Sequence, residues 1–125
     1  MLRLATQRHV GIFTKLIPAN LTPPQFSALI TLYQNGPCSQ NELGRRIATD
    51  GATIKGIVNR LTKRGLMQTT PDPNDGRMLI VSLSAAGTAL AASCIGIGLE
   101  ITEATLAPFT QAERRQFLAM LKKLG

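Results

Sequence analysis

The sequence predicts a mainly α-helical fold with one small β-hairpin, which places it in the α+β class. Three observations support this prediction. Helix-capping residues precede apolar stripes at helical spacing at several points along the chain. Two of these stripes are separated by a turn of only about three residues, which is the helix-turn-helix arrangement. Directly after them, a segment rich in turn residues joins two short runs that are typical of strands.

The first two helices are marked by clear start and stop signals. The first lies before Pro18, and its apolar face is formed by Leu2, Ala5, Ile12, Phe13 and Leu16. Thr22 caps the second helix, because prolines occupy its first turn and Gln25 can bond back to the cap. A stop signal follows at Asn35, Gly36 and Pro37.

The third and fourth helices form the predicted helix-turn-helix. Ser39 and Glu42 have the spacing of a capping box for the third helix, which is short and ends near Ala48. Asp50 caps the fourth helix, and Gly65 ends it. The inward residues of the fourth helix are Ala52, Ile54, Ile57, Val58 and Leu61.

A β-hairpin follows this helix pair. Residues 66–70 form its first strand, the turn-rich residues 71–76 follow, and residues 79–83 form the second strand. Its tip carries Arg77. A hairpin in this position is a wing, so the fold is predicted to be a winged helix-turn-helix.

Two more helices complete the chain. Ser84 caps a helix that runs from Ala85 to about Leu106, in which each interior glycine costs about 1 kcal/mol relative to alanine. Thr110 and Glu113 form a capping box for the last helix. The apolar stripe of that helix is Phe117, Leu118, Leu121 and Leu124.

The organisation follows from this order of elements. Residues 1–125 are expected to form one domain, with the reader at residues 19–84 and dimerisation helices at residues 1–18 and 85–125. The apolar faces of the flanking helices exceed what one small reader can cover, so we expect a homodimer. A two-fold axis would place two reading helices about 34 Å apart, one turn of DNA.

The charge of the chain favours an anionic partner. The formal net charge is +7 and the isoelectric point is about 10.3. Nucleic acid is the commonest partner of such proteins, although a solvated basic surface is the alternative. Residues 39–80 contain seven basic and four acidic residues, 7 − 4 = +3, so charge alone does not locate the site.

Other classes of protein find little support in the sequence. No uninterrupted apolar run reaches the roughly 18 residues of a membrane span, and no signal-peptide pattern is present, so the cytoplasm is expected. Cys38 and Cys94 lack zinc-site spacing, and His9 is the only histidine. We expect no metal, no cofactor and no catalytic residue, and the chain is interpreted as a non-enzyme.

The central residues resemble the MarR family of transcriptional regulators. Four stretches carry the resemblance, namely LTPPQF at residues 21–26, NEL at residues 41–43, DGATIKGIVNRLTKRGL at residues 50–66 and DPNDGR at residues 72–77. The family's first helix normally begins several residues before the position of Met1. The resemblance implies a homodimer on a palindromic operator in double-stranded DNA, usually a repressor released by a small ligand.

The predicted DNA contacts lie on the third and fourth helices and on the wing. The major groove carries the base-specific pattern, and a narrow minor groove attracts arginine. The predicted base or groove contacts are Thr53, Lys55, Gly56, Asn59 and Arg77. The predicted phosphate contacts are Ser39, Gln40, Arg60, Lys63 and Arg64, and Arg60 has a structural salt bridge as its alternative. Asp75 is expected to brace Arg77 through a bidentate pair, with an ordinary surface salt bridge as the alternative.

The first helix also resembles a branch of the family that senses aromatic acids. The resemblance implies that Arg3 and His9 bind an aromatic carboxylic acid, because arginine suits a carboxylate and histidine can hydrogen-bond a phenol. These two residues lie roughly 120° apart around a helix. The alternative is a solvated Arg3 and a His9 packed at an interface.

Two rival functions remain for comparison. A winged-helix module that binds protein instead of DNA has no need of a basic wing tip, and Lys55, Arg64 and Arg77 argue against it. Strong salt dependence of DNA affinity would separate these two interpretations. An enzyme would need paired carboxylates, a metal cluster or a phosphate loop, and none of these patterns is present in the sequence.

Overall fold

The computed structural model describes all residues 1–125. The chain forms six α-helices and three short strands. In chain order they are α1 (Leu2–Leu16), α2 (Pro23–Asn35), β1 (Cys38–Ser39), α3 (Gln40–Arg46), α4 (Gly51–Lys63), β2 (Met67–Pro71), β3 (Leu79–Leu83), α5 (Ala85–Thr105) and α6 (Gln111–Leu124). A 3-10 turn at Pro18–Asn20 joins α1 to α2. The predicted fold class, mainly α-helical with a small antiparallel sheet, is confirmed.

Most of the predicted helix starts are realised by side-chain caps. Thr22 and Gln25 form the capping box of α2, with the Gln25 N–H donating to Thr22 Oγ1 at 3.3 Å and the Thr22 N–H donating to Gln25 Oε1 at 3.0 Å. Thr110 and Glu113 form the same motif at α6. These reciprocal bonds satisfy amides that the first helical turn leaves without a partner.

The wing is part of a three-stranded antiparallel sheet in the order β1-β3-β2. Met67 of β2 pairs with Leu83 of β3, and Pro71 pairs with Leu79. The sequence did not predict β1, in which Cys38 pairs with Val81 of β3. Two residues are too few to show an alternating pattern, so only the tertiary fold reveals this strand.

The chain separates into two compact units, one of residues 17–95 and the other of residues 1–16 together with 96–125. The unit of residues 17–95 contains the whole predicted reader and a closed apolar core. The largest completely buried side chains of this core are Leu29, Leu43, Ile54, Val58, Leu61, Val81 and Cys94. All four predicted inward residues of α4 from Ile54 onward are therefore buried, whereas Ala52 is exposed.

The other unit, of α1, α6 and the second part of α5, leaves much of its apolar surface uncovered. Phe13, Ile101 and Leu106 are buried, and Phe109 meets Phe117 edge-on with ring centroids 5.2 Å apart. Large apolar side chains from both terminal helices are exposed, among them Leu2, Leu4, Leu118, Met120, Leu121 and Leu124. No residue of α6 is buried.

Helix α5 runs without a break through Gly96 and Gly98. No uninterrupted apolar run of a membrane-span length was expected, because glycine and polar residues such as Gly87, Thr88 and Ser93 interrupt this segment. By length and composition alone the 21-residue helix is long and apolar enough to cross a membrane. One such helix is weak evidence, because core helices of globular proteins meet the same criterion.

A tight junction joins the end of α4 to the start of α5. Ser84 Oγ donates to the Gly65 carbonyl at 2.6 Å and accepts the Gly87 N–H at 3.0 Å, and the Ser84 N–H donates to the Leu66 carbonyl at 3.1 Å. A Cβ at Gly87 would lie 1.9 Å from the Leu66 carbonyl oxygen. Only glycine fits at this position.

Gly87→Ala is therefore expected to lower the free energy of unfolding by more than about 3 kcal/mol, beyond the usual range for overpacking, because a backbone carbonyl cannot move aside as a side chain does. Gly96→Ala is the matched control in the same helix, because a Cβ there meets nothing within 4 Å. It is expected to raise stability by up to about 1 kcal/mol. Urea denaturation measures both, and equal midpoints for the two variants would contradict the assignment.

Candidate nucleic-acid interface

Helix α3 presents its N-terminus through a partial capping box. Ser39 Oγ accepts the Glu42 N–H at 3.1 Å, as predicted. The reciprocal bond from Glu42 to the Ser39 backbone is absent, which corrects the prediction of a full capping box. The Glu42 carboxylate instead pairs with Arg45 and with Arg46. These partners, the Arg45 hydrogen bond first, lower the pKa of Glu42.

The turn between α3 and α4 is fixed by backbone and side-chain bonds. Ala48 adopts the left-handed conformation at φ 57, and the Thr49 N–H donates back to the Gly44 carbonyl at 2.9 Å. Asp50 Oδ1 then accepts the Thr53 N–H at 2.7 Å and caps α4 as predicted. Hydrogen bonds from Thr53 lower the pKa of Asp50, which favours the charged carboxylate that complements the helix dipole.

Helix α4 divides into a buried stripe and an open face. Ile54, Ile57, Val58 and Leu61 are all buried. The remaining predicted contacts on this helix, Thr53, Lys55, Asn59, Arg60 and Lys63, are exposed. The side chains of Lys55, Asn59 and Lys63 make no hydrogen bond or ion pair within the protein, so their donors are free for an external partner.

Gly56 forms part of the lining of an open cleft beside this face. The cleft has a volume of about 390 Å³ and is lined by Thr22, Pro24, Gln25, Ala52, Thr53, Gly56, Ile57 and Arg60. A Cβ at Gly56 would meet nothing within 4 Å, so the fold does not require a glycine there. The absence of a side chain leaves room for close approach by a partner. Sequence reasoning did not anticipate that α2 would form the other wall.

The wing loop is held by two aspartates. Asp72 Oδ1 accepts the Asn74 N–H at 2.8 Å, and Asp75 Oδ1 accepts the Arg77 N–H at 3.1 Å. The Asp72 N–H also bonds to the Met78 carbonyl at 2.8 Å. The predicted bidentate pair between Asp75 and the Arg77 guanidinium is absent: Asp75 holds the backbone of Arg77 and leaves its side chain free. The role of Asp72 was missed, although Asx turns are a known property of aspartate in loops.

Arg77 is exposed, and its guanidinium has no ion-pair partner in the protein. Together with Met78 and Leu79 it borders a small cleft, of about 120 Å³, that also contains Ser39, Gln40 and Asn41. The fold therefore brings the predicted phosphate contacts Ser39 and Gln40 next to the wing arginine. Arg60 and Lys63 lie apart from this cleft, on α4.

Arg64 differs from the other predicted phosphate contacts. Its Nη2 donates to the Ala19 carbonyl at 2.6 Å, so the guanidinium already has a partner inside the protein. The phosphate contact predicted for Arg64 remains a prediction.

A separate open cavity lies among α1, α5 and α6. Its volume is about 390 Å³, and it is lined by Leu2, Ala5, Thr6, His9, Thr102, Thr105, Leu106, Phe117, Leu118 and Leu121. His9 Nδ1 is hydrogen-bonded to Thr105 Oγ1 at 2.9 Å. Arg8, which precedes His9, donates to the Ala104 carbonyl at 3.0 Å. Arg3 is exposed and is not among the residues that line the cavity. The structure thus places His9, but not Arg3, at the cavity.

Both cysteines sit in surroundings that disfavour the thiolate. Burial raises the pKa of the Cys38 thiol and of the Cys94 thiol. Cys94 is completely buried in the core of residues 17–95. The positive charge of Arg46 offsets only part of the effect of burial at Cys38, so neither thiol has the lowered pKa of a reactive cysteine.

A winged helix with an open, basic recognition face defines a DNA-binding regulator. Comparison with known proteins gives the family. A sequence model described as the MarR family matches residues 21–79. The HTH-type transcriptional repressor NicR of Pseudomonas putida is 42% identical over 125 residues, which cover 99% of this chain and 79% of NicR. The chain belongs to the MarR family of transcriptional regulators.

Two solved structures are similar over nearly the whole chain. A probable transcriptional regulator from Pseudomonas aeruginosa has a TM-score of 0.96 and 47% sequence identity, covering 99% of this chain and 93% of that chain. Bordetella bronchiseptica BpsR has a TM-score of 0.89 and 37% identity, covering 98% of this chain and 94% of that chain. The BpsR structure addresses regulation of its DNA binding by 6-hydroxynicotinic acid.

The role of Asp75 can be tested with two variants. Asp75→Asn keeps an oxygen that accepts the Arg77 N–H, so its operator affinity is expected to match wild type or exceed it. Asp75→Ala removes the acceptor, and affinity is expected to fall about threefold to tenfold, the usual worth of one hydrogen bond. Fluorescence anisotropy on one duplex measures both. A loss in Asp75→Asn as large as in Asp75→Ala would show that the carboxylate charge is what matters.

Proposed function

We propose that this chain is a ligand-responsive transcriptional repressor that binds a palindromic operator as a homodimer. The observation that carries the proposal is the pairing of an exposed, unpartnered recognition face on α4 with a free arginine on a braced wing. NicR and other relatives of this chain are named transcriptional repressors, which supports repression as the mode of regulation. Membership of this regulator family also favours a cytoplasmic location.

In this proposal α4 lies in the major groove. Lys55 donates to guanine O6 and N7 or to a phosphate, Asn59 reaches adenine or a phosphate, and Thr53 contacts a thymine methyl. Gly56 lets the helix backbone approach the DNA closely. Arg77 enters the minor groove. Ser39, Gln40, Arg60 and Lys63 contact phosphates and set the register of the protein on the duplex.

The exposed apolar side chains of α1 and α6 support the homodimer. Leu2 is 74% exposed and Leu124 is 77% exposed, and they belong to a larger set on both terminal helices. Leu2, Leu118 and Leu121 line one cavity, and exposed apolar side chains that lie together in this way mark an interface. A second copy is the occupant that places two recognition helices one DNA turn apart, about 34 Å. Packed on this face, it would also close the open cavity beside His9.

The rival function, a winged-helix module that binds protein, predicts different surface chemistry. Lys55, Lys63 and Arg77 are exposed and have no partner in the protein. Unpaired cations on the recognition helix and on the wing tip match a phosphate-rich partner better than a protein surface. A DNA affinity that falls steeply with salt concentration would support DNA binding over protein binding.

The DNA-binding proposal is tested on the DNA that flanks the gene. Footprinting of the wild-type protein is expected to show two protected half-sites about one helical turn apart. Arg77→Ala is expected to weaken operator binding about tenfold, roughly 1.4 kcal/mol, with unchanged thermal stability. Lys55→Ala is the matched variant on α4 and is expected to change base preference at one position instead of weakening all sequences alike. Unchanged operator affinity in Arg77→Ala would contradict the proposed contact between the wing and DNA.

We propose further that the effector is an aromatic carboxylic acid. The cavity beside His9 is apolar along Leu2, Leu106 and Phe117 and polar at His9 and Thr105, which suits a ring with one or two polar substituents. The similarity to BpsR supports this class, because 6-hydroxynicotinic acid carries a hydroxyl and a carboxyl on one ring. In this proposal His9 hydrogen-bonds the ligand, and Arg3 approaches the carboxylate from outside the present lining.

Calorimetry with benzoates, hydroxycinnamates and 6-hydroxynicotinic acid tests the ligand class. Wild-type protein is expected to bind at least one hydroxylated acid, and His9→Ala is expected to bind it about tenfold more weakly, because it loses a hydrogen bond to a charged or polar group. Arg3→Ala is expected to lose affinity for the acid but not for its amide. Arg115→Ala, an exposed arginine on α6, serves as control. No heat across the panel would remove the aromatic-acid proposal.

A further inference from the structure

One side chain connects the C-terminal end of α4, the helix proposed to read the DNA, to the segment between α1 and α2. Arg64 Nη2 donates to the Ala19 carbonyl at 2.6 Å, and the two residues are 45 positions apart in sequence. A guanidinium donating to a carbonyl makes a charge-assisted hydrogen bond, which is stronger than a neutral one. Lys63, the preceding residue, has no such partner.

The segment that receives this bond has an unusual backbone. Ala19 and Asn20 both have left-handed φ angles, 62 and 51. This conformation is unfavourable for residues with a Cβ and persists only where the surrounding structure holds it. Leu21 is buried on one side of the segment, and Ile17 packs against the core on the other. The Ala19 carbonyl between these two anchors is therefore a fixed acceptor.

The backbone at the other end of the bond is equally fixed. The Arg64 N–H donates to the Arg60 carbonyl at 3.1 Å, the Gly65 N–H to Thr62 at 3.0 Å and the Leu66 N–H to Leu61 at 2.9 Å. Gly65 takes the left-handed conformation, with φ 75, that ends the helix. Arg64 thus connects two rigid points, the end of α4 and the turn that precedes α2.

Such a connection matters for base reading. If α4 turned about its axis by about 10°, a side-chain end roughly 5 Å from the axis would move about 1 Å. Hydrogen bonds to base edges tolerate less displacement than that, whereas contacts of long basic side chains with phosphates tolerate more. The expected consequence of losing the bond is a loss of discrimination between sequences.

We propose that Arg64 is a positioning residue for DNA recognition, which fixes the orientation of α4 through Ala19, and that it does not act by contacting phosphate. This inference rests on the proposed function of the chain as a sequence-specific DNA reader. It assigns to neighbouring arginine and lysine side chains two different tasks: Lys63 contacts the DNA, and Arg64 holds the helix that reads it.

The test compares Arg64→Ala with Lys63→Ala in the full chain. Anisotropy titrations use the footprinted operator and an unrelated duplex over a series of salt concentrations. Arg64→Ala is expected to lose about fivefold or more in operator affinity, with the affinity for the unrelated duplex and the salt slope unchanged. Lys63→Ala is expected to weaken both duplexes alike and to reduce the salt slope by about 0.9, the value for one phosphate contact. Arg64→Lys, a second variant that keeps the charge, is expected to fall between wild type and Arg64→Ala.

Hydrogen exchange on the free protein gives a readout that is independent of DNA. The Gly65 and Leu66 amides are expected to exchange faster in Arg64→Ala than in wild type and to be unchanged in Lys63→Ala. Equal losses on both duplexes with a smaller salt slope in Arg64→Ala would overturn the proposal in favour of a phosphate contact. Unchanged discrimination or unchanged exchange would also overturn it. A wild-type protein without operator preference would instead overturn the proposed function. The exchange comparison would still test whether the hydrogen bond from Arg64 to Ala19 holds the end of α4.

Discussion

The close contact between Gly87 and the carbonyl oxygen of Leu66 is the constraint on which the reader depends. Leu66 is where the recognition helix has ended and the wing begins, and Gly87 lies in the first turn of α5. A Cβ at Gly87 would come within 1.9 Å of that oxygen. Ser84 completes the junction, because it bonds to both Gly65 and Leu66. The start of β2 and the end of β3 are thereby held at one point beside the end of α4.

The electrostatics of the reader follow from this frame. The acidic side chains near the predicted interface are committed to backbone amides or to α3 itself: Asp50 caps α4, Asp72 and Asp75 hold the wing loop, and Glu42 pairs with Arg45 and Arg46. Lys55, Lys63 and Arg77 are left without acidic partners. A modest excess of positive charge in sequence therefore appears in the fold as free cations on α4 and at the wing tip, which the charge count for residues 39–80 could not show.

The sequence was sufficient wherever a local rule determined the structure. Capping residues and glycine at helix ends located α2, α4 and α6 closely, and the strand of residues 79–83 was predicted to the residue. The helix ends depend on neighbours within four positions, and the strand was indicated by its run of β-branched and apolar residues. Strand β1 and the left-handed turn at Ala19 and Asn20 were not predicted, because each is stabilised by partners that are distant in sequence: Val81 for β1, Arg64 for the turn.

The candidate site shows the same division. Exposure of Lys55 and Asn59 followed from helical periodicity, but the partners of the polar side chains did not. Asp75 was expected to pair with the Arg77 side chain and instead accepts its backbone N–H, because an Asx turn forms at shorter range than an ion pair. Arg64 was grouped with Lys63 by residue type. Only the fold distinguishes a cation that faces solvent from one that has a carbonyl within reach.

The two compact units differ in how much of their apolar surface a single chain buries. Residues 17–95 bury a closed core and contain every predicted DNA contact. Residues 1–16 and 96–125 bury few side chains, expose leucines on both terminal helices and surround an open cavity beside His9. Burial of that apolar surface is favourable at about 25 cal/mol per Å², so the unit gains stability from whatever covers it. In the proposed function, both the free energy of dimerisation and the response to an effector therefore belong to the unit of residues 1–16 and 96–125.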